Sequence, residues 1–232
     1  MKTIMLFLML SGLVSAVLAV EPAELDSRIR TLTDKFEAFQ HQPDNGIPAE
    51  VLRKAQGIIL LDCTKAGFVF AYQGGGGVAM VKNAKLKKWS PTVFLKASEA
   101  SLGFQVGGEQ NFYVILLMTT NSTWRLIDPK IEFGAGAGGT AGDNTEGVET
   151  KAPSEQPVLV YKDRVGLYGG AVLKGGGIAS DGEANRVYYG QDLSVRDILF
   201  DHKVQPSPAA SNLASKIDSY AHNHDGSKSA KN

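Results

Sequence analysis

Lys65-Ala66-Gly67-Phe68-Val69-Phe70, followed by Gly74-Gly75-Gly76-Gly77-Val78-Ala79, places a glycine run between two β-favouring segments. Glycine in such a place marks a tight turn, a bulge or a close approach of two backbones. The pattern returns at Arg164-Val165-Gly166-Leu167-Tyr168 and Gly175-Gly176-Gly177-Ile178-Ala179. Each stretch reads as a cation, a small residue, Gly, a large apolar residue, a strand, a glycine run and another strand. With one inserted residue the two align, which predicts two similar β-units in one sheet system.

The stretch Ile58-Ile59-Leu60-Leu61-Asp62-Cys63 reads as a buried strand. Further strands are predicted at 68–72, 78–81, 93–96, 102–106, 112–118, 158–161, 167–173 and 187–189. A helix is predicted over 21–40, where Leu25, Ile29, Leu32, Phe36 and Phe39 recur at spacings of three and four and build one apolar stripe. Pro48 suits the start of a short helix at 49–56. Asn121 or Ser122 can cap a second short helix, Ser194 a third, and Pro208 opens a last one whose Leu213, Ala214, Ile217 and Tyr220 share a face. Residues 134–157 are glycine-rich and polar and read as a loop. The sum is a single α+β domain dominated by antiparallel strands, with glycine-rich turns and short flanking helices.

The N-terminus reads as a secretory signal. Met1-Lys2 is a short cationic start, 3–18 is almost wholly apolar, and Val17-Leu18-Ala19 suits a signal peptidase. The predicted organisation is a signal peptide at 1–19, an amphipathic helix and turn at 20–46, the domain proper at 47–220, and a polar, disordered tail at 221–232. The expected location is exported, periplasmic or secreted, peripheral to a membrane.

Composition excludes several classes. The chain balances 24 Lys and Arg against 24 Asp and Glu, where a general nucleic-acid binder should be basic. Gly134, Gly136 and Gly139 satisfy a dinucleotide-type spacing, but no apolar-periodic helix follows them. There is no phosphate-loop lysine and no nucleophile elbow. His41, His202, His222 and His224 do not form a set of three or four fixed metal ligands. Cys63 is the one cysteine, so an exported chain has no internal disulfide. The preceding Ile58-Ile59-Leu60-Leu61-Asp62 reads as a buried strand and so predicts a buried side chain, which weighs against a hydrolase or transferase built on Cys63 or a carboxylate near a histidine. No cofactor, no metal and no enzymatic activity are expected.

Two surfaces remain as binding candidates. Lys82, Lys85, Lys87, Lys88 and Lys96 occur between positions 82 and 96 without an intervening acid, and Trp89 sits among them. Lysine supplies point charges to phosphate and Trp favours the bilayer interface. A solvated hairpin tip, with lysines discouraging edge pairing, explains the same residues. The stripe of Leu25, Ile29, Leu32, Phe36 and Phe39 is the second surface. Its helix carries Glu21, Glu24, Asp26, Asp34 and Glu37 against Arg28, Arg30 and Lys35. That balance favours packing on the domain over insertion into anionic lipid.

From 47 to 204 the chain resembles the SYLF domain family. The resemblance is carried, in order, by Ile47-Pro48, Val51-Leu52, Ala55-x-Gly57, Lys65-Ala66-Gly67-Phe68, the glycine run ending at Val78, and Trp89-Ser90-Pro91. It continues through Gly103-x-Gln105-x-Gly107, the apolar 114–118, Tyr161, Gly166-Leu167-Tyr168-x-Gly170, Asp181, Asn185 and Tyr188-Tyr189-Gly190. Membership implies a lipid-binding module. Eukaryotic members bind phosphoinositides and some bind actin; bacterial members are often exported single domains. The chain is similar to the exported bacterial type, so the implied ligand is an anionic phospholipid membrane surface. Lys82, Lys85, Lys87 and Lys88 are then expected to contact phosphate, with Trp89 as anchor and the helix stripe as a second surface. The alternative is a structural or protein-interaction module of the envelope with incidental lipid binding, whose partners are envelope proteins. Nucleic acid is not expected as a partner, and neither is actin.

Overall fold

A computed structural model of the chain describes residues 20–42, 46–66, 72–83, 87–98, 111–131, 156–163, 166–168 and 177–222. The apolar run at 58–61 lies in the central strand of a seven-stranded sheet. Its strands are β1 (Gly57–Ala66), β2 (Tyr72–Val81), β3 (Val93–Ser98), β4 (Asn111–Leu117), β5 (Val158–Lys162), β6 (Gly166–Tyr168) and β7 (Ile178–Ser180). They lie in the order β6-β5-β4-β1-β2-β3-β7, and every pairing is antiparallel. Two meanders, β1-β2-β3 and β4-β5-β6, join through β1 and β4, and β7 closes the far edge on β3.

The central strands lack an apolar–polar alternation because both faces of the sheet are covered. Ile58 and Leu60 point to one core, Ile59 and Leu61 to another, and all four are essentially inaccessible. The first face carries α1 (Pro22–Gln40), α2 (Ala49–Lys54), α4 (Gly182–Tyr189) and α6 (Pro208–His222). Near the second face lie α3 (Thr120–Trp124), the 3-10 turn Arg125–Ile127, and α5 (Val195–Leu199), contributing Leu126, Ile198 and Leu199 to its core. This is one α+β domain, as the sequence predicts.

The stripe of α1 is core. Leu25, Ile29, Leu32, Phe36 and Phe39 are each at most 1% exposed. Phe36 meets Tyr220 of α6 edge-on at 5.8 Å, and Phe39 meets Phe112 and Tyr161 at 6.5 Å. The amphipathic period here serves packing of a helix on a sheet, so the reading of this stripe as a free membrane surface gives way.

Three other expectations change. The cap of α3 is Thr119, upstream of Asn121 and Ser122. Its Oγ1 accepts the Ser122 N–H at 3.1 Å, and Ser122 Oγ accepts the Thr119 N–H in return, a reciprocal capping box. Residues 187–189, a β-favouring Val-Tyr-Tyr, form the last turn of α4 instead of a strand. Asp181 caps that helix through the Ala184 N–H at 3.2 Å, and Gly190 ends it with φ 64°. These start and stop signals outweigh local β propensity. Contacts hold the turn: Tyr188 donates to Asp26 at 2.5 Å and Tyr189 to the Thr92 carbonyl at 2.5 Å.

The predicted doubling of the β-unit is also not what the described strands show. β1 and β2 pair along their whole length at the centre of the sheet, whereas β6 and β7 stand at its opposite edges. The expected strand at 102–106, most of those at 68–72 and 167–173, the loop at 134–157 except its last two residues, and the tail beyond 222 lie outside the described residues.

Asn185 ties α4 to the sheet. It is 3% exposed; its Oδ1 accepts the Phe94 N–H at 2.8 Å, and its Nδ2 donates to the Phe94 carbonyl and to Ser180 Oγ, both at 3.2 Å. Asn185→Ala leaves a buried strand N–H without this partner. The expected cost is about 2–3 kcal/mol, read as a lower urea midpoint with unchanged slope. A loss below about 0.5 kcal/mol would show that the bond is dispensable.

Candidate functional site

The glycine run of β2 is crowded on one side and open on the other. Gly75 and Gly77 lie opposite Cys63 and Leu61 of β1. A Cβ at Gly77 would stand 2.2 Å from the Leu60 carbonyl oxygen and 2.4 Å from Leu61 Cδ2; one at Gly75 would stand 2.5 Å from Cys63 Sγ. Close approach, rather than a turn or bulge, explains these two glycines. Gly76 falls on the other face, on one rung with Asp62 of β1 and Lys96 of β3. The nearest atoms to a Cβ there would be those of the Arg28 side chain of α1, at 3.5 Å and beyond.

The missing side chain at Gly76 lowers the sheet beneath α1. The result is a groove of about 480 Å³, lined by Glu24, Ser27, Arg28, Thr31 and Leu32 of α1, and by Asp62, Gly75, Gly76, Leu95, Lys96 and Asp181. Its acids differ in their engagements. Asp62 forms a close ion pair with Lys35, and Asp181 holds the first turn of α4. Among the described residues, Arg28 and Lys96 have no ion pair or hydrogen bond from their side chains. Neither is marked as a groove residue by the sequence. Arg28 reads there as one cation on an acidic helix, Lys96 as the last member of a lysine cluster, and only strand register brings them to the same floor.

The lysine cluster itself is divided by the fold. Trp89 is 7% exposed, and its Nε1–H donates to Asp218 of α6 at 3.0 Å. Lys82 lies 5.3 Å above the Trp89 ring and 3.7 Å from Asp218, with its side chain 12% exposed. Residues 82 and 89 bridge each other and dock on α6. Trp89 is therefore a core residue, which corrects its reading as an interfacial anchor, and Lys82 faces Asp218. Lys87 and Lys88 are exposed. The Lys87 N–H donates to the Asn83 carbonyl and the Asn83 N–H to the Lys88 carbonyl, both at 2.8 Å, with Lys87 at φ 55°. Lys85 lies outside the described residues.

Near the second face, Trp124 and Ile127 are 37% and 40% exposed. Trp124 stacks on Phe200 at 4.2 Å, and Arg196 lies 5.7 Å from its ring. Nothing in the sequence marks Trp124 as exposed, because its exposure depends on how α3 and α5 meet. Cys63 is 2% exposed, and burial, reinforced by Asp62, pushes its thiol up to about 12. At neutral pH it is a protonated core group, opposite to what a nucleophile requires. Among the described residues no group of three metal-ligating side chains occurs, and no helix is long and apolar enough to cross a membrane.

A family model described as "Ysc84: Las17-binding protein actin regulator" matches residues 98–220. The chain is 30% identical over 186 residues to "LAS seventeen-binding protein 3" of Saccharomyces cerevisiae, covering 78% of this chain and 40% of that protein. It is 30% identical over 213 residues to "SH3 domain-containing YSC84-like protein 1" of Homo sapiens, covering 88% of this chain and 61% of that one. The rat protein of the same name is also 30% identical, over 81% of this chain and 57% of its own length. The chain thus spans less than two thirds of these relatives. No solved structure matches it. These findings overturn one expectation: the matching family is described as an actin regulator, and its yeast member is named for Las17 binding, so actin-linked partners are not set aside for this chain.

Proposed function

Since this chain belongs to the Ysc84 (SYLF) family, we propose that it is a non-enzymatic binding module that recognises an anionic phospholipid surface, exported and acting at the face of an envelope membrane. The carrying observation is the loop between β2 and β3. Its backbone bonds hold Lys87 and Lys88 outward, while Trp89 and Lys82 anchor its base on α6. A lysine near an anionic surface contributes about 1 kcal/mol, and a loop fixed at its base loses less freedom on binding than a free one. The family context supports a binding role, and the buried, protonated Cys63 supports the absence of thiol chemistry.

The test is flotation on phosphatidylcholine vesicles with and without phosphatidylglycerol, at low and high salt. Binding is expected only with phosphatidylglycerol and weaker in salt. Replacing Lys87 and Lys88 by Gln together should weaken it about thirtyfold. Unchanged binding by that variant would end the proposal for this loop.

A second reading has its own observation. Exposed Trp124, its stack on Phe200 and the neighbouring Ile127 and Arg196 are residue types enriched at protein-binding hot spots. The relatives named for Las17 binding make a partner of that actin-regulatory kind the second candidate. Trp124→Ala should leave flotation unchanged and abolish such a complex; loss of flotation instead would assign this edge to the membrane.

A further inference from the structure

The groove over Gly75 and Gly76 has no part in the loop reading, since neither Lys87 nor Lys88 lines it. We infer that this groove is a binding site for a phosphate-bearing group, either a phosphate ester or a phospholipid head group, held between Arg28 and Lys96. The inference begins with the sheet register. Asp62, Gly76 and Lys96 share a rung, and α1 passes above it with Arg28 over the glycine. Two cations therefore face one floor from different elements.

Charge decides which class of ligand fits. Asp62 is neutralised by Lys35, and Asp181 is held as the cap of α4. Glu24 stands four residues before Arg28 without an ion pair to it among the described residues. Arg28 and Lys96 are left unengaged there, so an anion is the complement they lack. A guanidinium fork suits two oxygens of one phosphate, and an ammonium adds a point charge without fixed geometry. Gly76 lets that group come close to the strand, since its face carries no side chain. The volume of about 480 Å³ falls within the roughly 300–1,000 Å³ of small-ligand sites. It exceeds the need of a bare phosphate and leaves room for the alcohol part of an ester, beside Leu32.

The experiment is a titration of the chain with sn-glycerol 3-phosphate, followed by backbone amide shifts and run beside flotation on phosphatidylglycerol vesicles. Arg28→Gln and Lys96→Gln should each weaken binding about tenfold or more. Glu24→Gln should tighten it roughly twofold by removing a repelling charge. Gly76→Val should abolish it by filling the floor. Saturable shifts at Gly75 and Gly76 with the soluble ester would assign the ligand as a free phosphate ester. Arg28-dependent binding to vesicles alone would assign it as a lipid head group. If neither probe gives an effect that depends on Arg28 or Lys96, with both variants unfolding at the parent's urea concentration, the site is overturned. Should Arg28→Gln fail to fold, Lys96→Gln, exposed on β3, decides alone. The variant lacking Lys87 and Lys88 should bind the soluble ester as the parent does, so failure of the loop reading and failure of this one are separable.

Discussion

Gly77→Ala is expected to destabilise the protein by about 3 kcal/mol or more, the largest effect of any single methyl group added here. The new Cβ would sit 2.2 Å from the Leu60 carbonyl oxygen and 2.4 Å from Leu61 Cδ2. The first contact is with backbone in the middle of the longest pairing in the sheet, which no rotamer change can relieve. Relief requires β1 and β2 to separate, where Leu60 and Leu61 of β1 and Val78 and Ala79 of β2 are buried. For a domain of this size such a loss lowers the thermal midpoint by about 10 °C. The control is one residue away. Gly76→Ala meets nothing nearer than Arg28 at 3.5 Å, an ordinary contact with a flexible side chain, and should change stability by less than about 0.5 kcal/mol. Equal urea midpoints for the two variants would show that the close approach at Gly77 is not a constraint on the fold.

Phe36→Ala should cost about 3–5 kcal/mol, the range for deleting a buried aromatic side chain. Phe36 is fully buried between α1 and α6 and contacts Tyr220 edge-on. Around it, Lys216 of α6 pairs with Glu37 of α1 at 2.6 Å, a half-buried contact that orients the two helices more than it stabilises them. The same substitution separates two roles for α1. A helix that packs loses stability when Phe36 is truncated. A helix that leaves the domain to insert in a bilayer keeps the domain's stability and loses vesicle binding instead. Unfolding in urea without vesicles is therefore the deciding measurement, and an unchanged midpoint would restore the membrane reading of the stripe.

Some of the candidate sites was legible in one dimension. Lys87 and Lys88 stand exposed, as lysines within a polar turn should, and the net acidity of α1 already favours packing over insertion. Trp89 misleads because an aromatic residue among lysines looks interfacial, while its actual partner, Asp218, lies 129 positions away. The groove is invisible for the same reason. Arg28, Gly76 and Lys96 share no local pattern, and a glycine in a run gives no sign of which neighbour will face it.

What the chain determined by itself is whatever depends on period and on local chemistry. The three-and-four spacing of Leu25 to Phe39 yields a helix with one apolar face, the apolar run at 58–61 yields a strand covered on both sides, and Ser194 starts a helix by capping it. These follow from the geometry of a few neighbouring residues. The tertiary structure alone decided the order of strands, the two different uses of adjacent glycines, the burial of Trp89, and the placing of Arg28 and Lys96 on one groove. Those depend on which distant segments share an interface. Register assigns every second residue to one face or the other, and this assignment made Gly77 a point of contact and Gly76 the floor of a site.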